Sequence, residues 1–155
     1  MQTIWITGGS SGIGFATAKE FLSNGWQVVI SSSNKEKLEN AKNRLIDLKH
    51  DGKLHIVPCD ISKIKDVNNT IDYIETKLGK INIALLNASA YSPNKDQIFD
   101  INNYELLVDV NIKGTLFCVN RLKDYMSGRN NTIAIISSPL GYRGWPTAGA
   151  YGISK

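Results

Sequence analysis

The amino-acid sequence predicts an α/β fold, a doubly wound parallel sheet with helices on both faces, on three observations. Five short apolar runs alternate with helical stripes from one end of the 155 residues to the other. The runs are nearly continuous in Ile, Val, Leu and Trp, as in strands buried on both faces. A glycine-rich turn follows the first run and leads straight into a helical pattern, a position at which such sheets bind ligands.

The first strand is Thr3–Thr7, and the helix behind it follows Gly12 and ends at Asn24-Gly25. The second strand, Gln27–Ser31, precedes a helix striped by Leu38, Ala41, Leu45 and Leu48 that stops at Asp51-Gly52. The third strand, Lys53–Val57, precedes a helix with Ser62 as its N-cap, a stripe of Val67, Ile71, Ile74 and Leu78, and Gly79 as its close. The fourth strand is Ile81–Leu86. A helix over about Asn103–Met126 then buries Leu107, Val110, Phe117 and Leu122 and ends before Gly128, and Thr132–Ile136 is the fifth strand. With right-handed crossovers this pattern predicts strand order 3-2-1-4-5. The longest irregular stretches, 88–100 and 138–150, are expected at the carboxyl edge of the sheet. No repeat or linker divides the sequence, so residues 1–155 are expected to form one domain.

Composition narrows the function. Apolar residues make up 42% and charged residues 21%, as in an ordinary globular protein. The net charge of +4 comes from 18 basic and 14 acidic side chains with no basic stripe, which argues against nucleic-acid binding. No apolar run is long enough to span a membrane, and Met1–Thr7 enters a strand directly, without the pattern of a signal peptide. Cys59 and Cys118 sit in apolar stretches with neither a disulfide framework nor metal-ligand spacing. They are expected to be buried, reduced thiols of a cytoplasmic protein, with no metal site. His50 and His55 flank the Asp51-Gly52 turn and are read as structural or solvent-facing.

Thr7-Gly8-Gly9-Ser10-Ser11-Gly12-Ile13-Gly14 joins the first strand to its helix. Glycine lets such a backbone turn tightly beside a pyrophosphate, which then meets the positive end of the helix. Gly8, Ser10, Ser11, Gly12, Ile13 and Gly14 are therefore candidate cofactor-binding residues. A Cβ at Gly12 or Gly14 should intrude on the pyrophosphate or the helix packing, so Gly14→Val should abolish binding in a chain that still folds. A P-loop would need Lys-Ser/Thr after the last glycine, where Phe15-Ala16 stand. The common dinucleotide fingerprint read from Gly12 would need Gly or Ala at 17, where Thr17 stands.

The spacing Thr-Gly-x-x-x-Gly-x-Gly resembles that of the short-chain dehydrogenase/reductase family, and further motifs extend the resemblance through all 155 residues. Asp60-Ile61 resembles the family's adenine-contacting acidic position. Leu86-Asn87-Ala88-Ser89 resembles its Asn-Asn-Ala-Gly motif, which stabilises the sheet and touches the adenosine ribose, with Leu86 and Ser89 as departures. Asn111, Ser138, Tyr151 and Lys155 resemble the family's catalytic Asn, Ser, Tyr and Lys, the last two as Tyr151-Gly152-Ile153-Ser154-Lys155. The resemblance implies a Rossmann-type NAD(P)-binding domain, and Asp60, Ile61, Asn87, Ala88, Tyr151 and Lys155 join its cofactor contacts. It implies hydride transfer between a nicotinamide cofactor and a small-molecule carbonyl or alcohol.

The residue types suit that chemistry. Reduction of a carbonyl leaves an alkoxide that needs a proton, and a phenol, with an ordinary pKa of about 10, serves only if its phenolate is stabilised. Lys155, four residues beyond Tyr151, lies on the same helical face and can stabilise it. The Ser138 hydroxyl can donate to the substrate oxygen. In the family the lysine also binds the nicotinamide ribose, and the asparagine holds a water that links the lysine to solvent.

The second strand ends in Ser31-Ser32-Ser33-Asn34-Lys35, with no carboxylate to repel a 2′-phosphate. Ser32, Ser33 and Lys35 can bind one, so NADP is preferred over NAD, with NAD left open. Relative to the family the chain lacks the later strands, helices and substrate cover. The alternative reading is a catalytically silent dinucleotide-binding module or a truncated remnant of such an enzyme. The 155 residues alone are expected to turn over little, because Tyr151 would begin a helix of which one unsupported turn is present. Oligomeric state stays open; the family's usual homo-oligomer uses the helices carrying Asn111 and Tyr151.

Overall fold

The computed structural model describes residues 1–48, 51–91 and 101–155. Five parallel strands, β1 (Thr3–Thr7), β2 (Gln27–Ser31), β3 (Lys53–Ile56), β4 (Ile81–Leu86) and β5 (Thr132–Ile135), form one sheet in the order β3-β2-β1-β4-β5. β1 pairs with β2 from Thr3↔Gln27 to Thr7↔Ser31, and β4 pairs with β5 from Ile83↔Thr132 to Leu86↔Ile135. The expected fold class and strand order are therefore observed. β3 and β5 end one residue earlier than the sequence suggests, although Val57 and Ile136 still donate their N–H groups to Ile30 and Leu86 across the sheet.

The helices are α1 (Gly12–Ser23), α2 (Lys35–Ile46), α3 (Ile64–Tyr73), α4 (Ile101–Leu107), α5 (Thr115–Met126) and α6 (Gly149–Ile153). Alternation along β1 sorts them onto two faces. Ile4 and Ile6 join Ala18, Leu22, Leu38, Ala41 and Leu45 under α1 and α2. Trp5 points the other way, into Val67, Ile71, Cys118 and Leu122 under α3 and α5. Both clusters are almost dry, and their burial is the main stabilisation of the fold. The Trp5 indole N–H, buried in the sheet, donates to Ser31 Oγ at 2.9 Å.

Three local expectations change. Ser62 does not cap α3. Its N–H and hydroxyl both donate to Asp60 Oδ1, at 3.1 and 2.7 Å, and Lys63 becomes the residue before the helix. Leu48 lies beyond the end of α2 in a turn, though it still packs on the core. The long helix over 103–126 is two α-helices joined by a π-helical turn, Val108–Gly114, and a second π-helical turn, Ile74–Leu78, extends α3. Apolar spacing looks alike in either kind of turn. His50 and residues 92–100 of the expected loop lie outside the described residues.

Candidate active site

The β1–α1 turn, the end of β2, the segments after β3 and β4, the segment after β5 and helix α6 converge on one cleft of about 720 Å³ at the carboxyl edge of the sheet. From the sequence-predicted cofactor set, Gly8, Ser10, Ser11, Gly12, Ile13, Ser32, Ser33, Asp60, Ile61, Asn87, Ala88, Tyr151 and Lys155 line it, and so does Ser138. Gly14 and Asn111 do not. Gly14 is buried beneath the turn, where an added Cβ would lie 2.5 Å from the Gly8 carbonyl oxygen.

The turn is held from below by Asn87, in the sheet-stabilising role the resemblance implies, and by Thr7, whose role sequence reasoning missed. The Thr7 hydroxyl accepts the N–H groups of Asn87 and Ala88 at 2.9 and 3.0 Å. The Asn87 side-chain amide donates to the carbonyls of Thr7 and Gly8 at 3.1 and 3.2 Å. Asn87 therefore ties the end of β4 to the turn, and its amide N–H groups are spent on backbone rather than aimed at a ribose. Thr7→Val would leave two backbone donors unmatched in a largely buried place. It should lower the unfolding free energy by about 2 kcal/mol or more. Urea denaturation showing less than half of that would remove Thr7 from this role.

Above the turn, α1 begins openly. Ser11 has extended backbone and makes no side-chain cap, and the first helical bond closes from Phe15 N–H to the Ser11 carbonyl at 3.1 Å. The earlier N–H groups have no helical partner and suit an anion. Ser10 Oγ donates to Ser32 Oγ at 3.3 Å, which links the turn to the end of β2. Asn34 caps α2 by accepting the Lys37 N–H at 2.8 Å. Lys37 lines the cleft beside Ser32 and Ser33, whereas Lys35 lines a neighbouring depression with Ser33 and Lys63. The two lysines are two helical positions apart, about 200° round the axis of α2, so they point to opposite sides. Partial burial acts to raise the Asp60 carboxyl, but bonds from Ser62 and Lys63 outweigh it and hold the group below the usual carboxylate range.

At the other end of the cleft, Ser138 Oγ accepts the Leu140 N–H at 3.2 Å and caps the short 3₁₀ turn Pro139–Gly141. That bond uses a lone pair and leaves the hydroxyl proton for donation. Tyr151 lies in the middle of α6 rather than at its start, and its ring meets Tyr91 edge to face at 4.8 Å. Lys155 Nζ donates to the Ile136 carbonyl at 2.6 Å and stands 6.0 Å from the Tyr151 ring centre. Burial lowers the Lys155 pKa from its ordinary value. The turn that carries the pair is not unsupported: Ser137 Oγ donates to the Lys155 carbonyl at 2.8 Å, and Asn111 reaches Ser154. Asn111 itself, buried in the π-helical turn, spends its side-chain amide on Ser89, Ala90 and Ser154.

The sequence pattern described as short chain dehydrogenase matches residues 2–155. An uncharacterized oxidoreductase of Staphylococcus aureus is 32% identical over 136 residues, which cover 85% of this chain and 57% of that protein. A chloroplastic chlorophyll(ide) b reductase of Oryza sativa is 30% identical over 161 residues, covering 98% of this chain and 46% of the reductase. The chain thus spans about half the length of these relatives, 57% and 46%. Among solved structures, a citronellol catabolism dehydrogenase of Pseudomonas aeruginosa has a TM-score of 0.86 at 27% identity, over 99% of this chain and 62% of its own. An alcohol dehydrogenase of the archaeon Thermococcus sibiricus, complexed with 5-hydroxy-NADP, shares the fold at 19% identity with a TM-score of 0.90, over 99% and 65%. A glycine-rich β1–α1 turn and the Tyr151–Lys155 pair facing one cleft accord with a match that runs from residue 2 to residue 155, and the chain belongs to the short-chain dehydrogenase family.

Proposed function

We propose that this chain is the dinucleotide-binding and catalytic part of an NADP-dependent oxidoreductase acting between a carbonyl and an alcohol. The observation that carries the reading is that Ser138, Tyr151 and Lys155 line the same cleft as the anion-ready start of α1. The residues fit a dinucleotide. Nothing stands within 4 Å of where a Gly12 Cβ would point, so the turn is open above. Ser32, Ser33 and Lys37 then receive the 2′-phosphate, Asp60 and Ile61 flank the adenine end, and Tyr151 and Lys155 stand at the nicotinamide end. When bound, the cofactor supplies or accepts the hydride.

The chain's own residues manage the proton. Ser138 donates its hydroxyl proton to the substrate oxygen and holds that oxygen towards Tyr151. Tyr151 Oη gives its proton to the oxygen during reduction and takes it back during oxidation. Lys155, fixed by the Ile136 carbonyl, presents a positive charge to the ring face of Tyr151. The same reading puts the protein in the cytoplasm. Cys59 and Cys118 are buried free thiols, pushed up to about 11 and about 12 by burial, and suit a reducing compartment.

The test is NADPH oxidation with a panel of ketones and aldehydes, together with fluorescence titration of both cofactors. NADPH should bind more tightly than NADH. Lys37→Glu should cost NADPH about tenfold in affinity, the scale of one charge-assisted bond, and leave NADH unaffected or improved. Equal affinities for the two cofactors, or equal losses in the variant, would remove the NADP assignment.

A further inference from the structure

We infer that Ser154 is a positioning residue that couples the segment after β4 to Tyr151 and Lys155, and that Asn111 acts through it. The inference rests on the oxidoreductase reading above. Ser154 is only 7% exposed, so its hydroxyl needs partners within the protein. It has two: Ser154 Oγ donates to the Tyr151 carbonyl at 2.8 Å and accepts from Asn111 Nδ2 at 2.8 Å. A hydroxyl has one proton, and donation to Tyr151 leaves the lone pairs to receive Asn111.

The Asn111 amide is saturated. Its second Nδ2 proton goes to the Ala90 carbonyl at 3.0 Å, and Oδ1 accepts from Ala90 N–H at 2.8 Å and Ser89 Oγ at 3.1 Å. One side chain thus grips the segment after β4 on one side and α6 on the other. Ala90 lines the cleft, while Ser154 sits between Tyr151 and Lys155 in sequence. The hydroxyl at 154 therefore transmits the position of the cleft wall to the carbonyl of Tyr151 and fixes how its ring faces Lys155. Deleting it removes no atom that touches substrate, yet it frees α6 to settle differently. Displacements of this kind change turnover more than binding.

The experiment compares wild type with Ser154→Ala, Ser154→Thr, Asn111→Ala and the Ser154→Ala/Asn111→Ala double variant, with Tyr151→Phe as the control for chemistry. Ser154→Ala should lower kcat about tenfold or more and displace its pH profile, while KM for NADPH stays near wild type and the unmatched Asn111 N–H lowers the melting temperature by only a few degrees. Ser154→Thr, which keeps the hydroxyl, should recover most of the rate. In kcat, Asn111→Ala should add little to Ser154→Ala, because both sever the link between Ala90 and Ser154, while the further bonds of Asn111 to Ala90 and Ser89 are read in the melting temperature. Additive losses in the double variant, an unmoved pH profile, or no recovery with threonine would overturn the inference and leave the oxidoreductase reading standing. A wild type that binds neither NADPH nor NADH in the titration, or a fully active Tyr151→Phe, would overturn that reading and the inference with it.

Discussion

Gly14→Val is expected to abolish dinucleotide binding by breaking the turn from below, not by crowding a phosphate from above. A Cβ at this position would lie 2.5 Å from the Gly8 carbonyl oxygen and 2.7 Å from Asn87 Nδ2. Those two atoms are bonded to each other at 3.2 Å, so the new carbon enters the contact that ties the turn to β4. Neither neighbour is a flexible side-chain tip that could swing aside. The carbonyl is backbone, and the amide is also committed to Thr7. Overpacking of this kind costs about 3 kcal/mol, and the isopropyl group adds bulk beyond the Cβ. The sequence alone suggested a folded chain that merely fails to bind, and the geometry revises that: stability and affinity should fall together. Gly12→Ala separates the two roles. Its φ of +54° makes alanine strained by about 1 kcal/mol, but nothing lies within 4 Å of the added carbon. That variant should fold and lose NADPH affinity through the altered turn. Urea denaturation and fluorescence titration, run on both variants, read the difference. A Gly14→Val protein with wild-type stability would show that the turn tolerates the carbon.

Much of the fold was legible because its causes are local and periodic. Strands buried on both faces read as apolar runs, and helices with one buried face repeat at three and four residues, as with Leu38, Ala41 and Leu45. What escaped depends on contacts between distant segments. The three serines at the end of β2 look equivalent in sequence, yet Ser31 Oγ is consumed by Trp5 while Ser32 and Ser33 line the cleft. Ser62 looks like a helix cap until Asp60 takes its hydroxyl. Thr7 gives no local sign that it will receive two N–H groups from residues 80 and 81 positions away. In the site, the residue types at the Tyr-Lys helix were legible from their spacing. The bonds that orient that helix, from Asn111, Ser137 and Ile136, join elements far apart in the chain and carry no periodic signal.

Tyr151→Phe is expected to lower kcat for carbonyl reduction about a thousandfold, within the range that one positioned acid–base group contributes. The change removes one oxygen and little else. The ring keeps its edge-to-face contact with Tyr91, the backbone of α6 is untouched, and Lys155 keeps its bond to the Ile136 carbonyl. NADPH affinity should therefore stay close to wild type, which separates loss of chemistry from loss of binding. The pH dependence supplies a second reading. Burial lowers the Lys155 pKa, so its ammonium gives up its proton at a lower pH than a free lysine does. As pH rises, the positive charge facing Tyr151 is lost early, and wild-type turnover should decline on the alkaline side before the ordinary lysine range is reached. The residual rate of Tyr151→Phe no longer uses the phenol and should not follow that decline. NADPH oxidation measured across pH for both proteins tests the two statements together. A Tyr151→Phe protein that turns over at the wild-type rate, with the same alkaline decline, would place the proton donor elsewhere in the cleft.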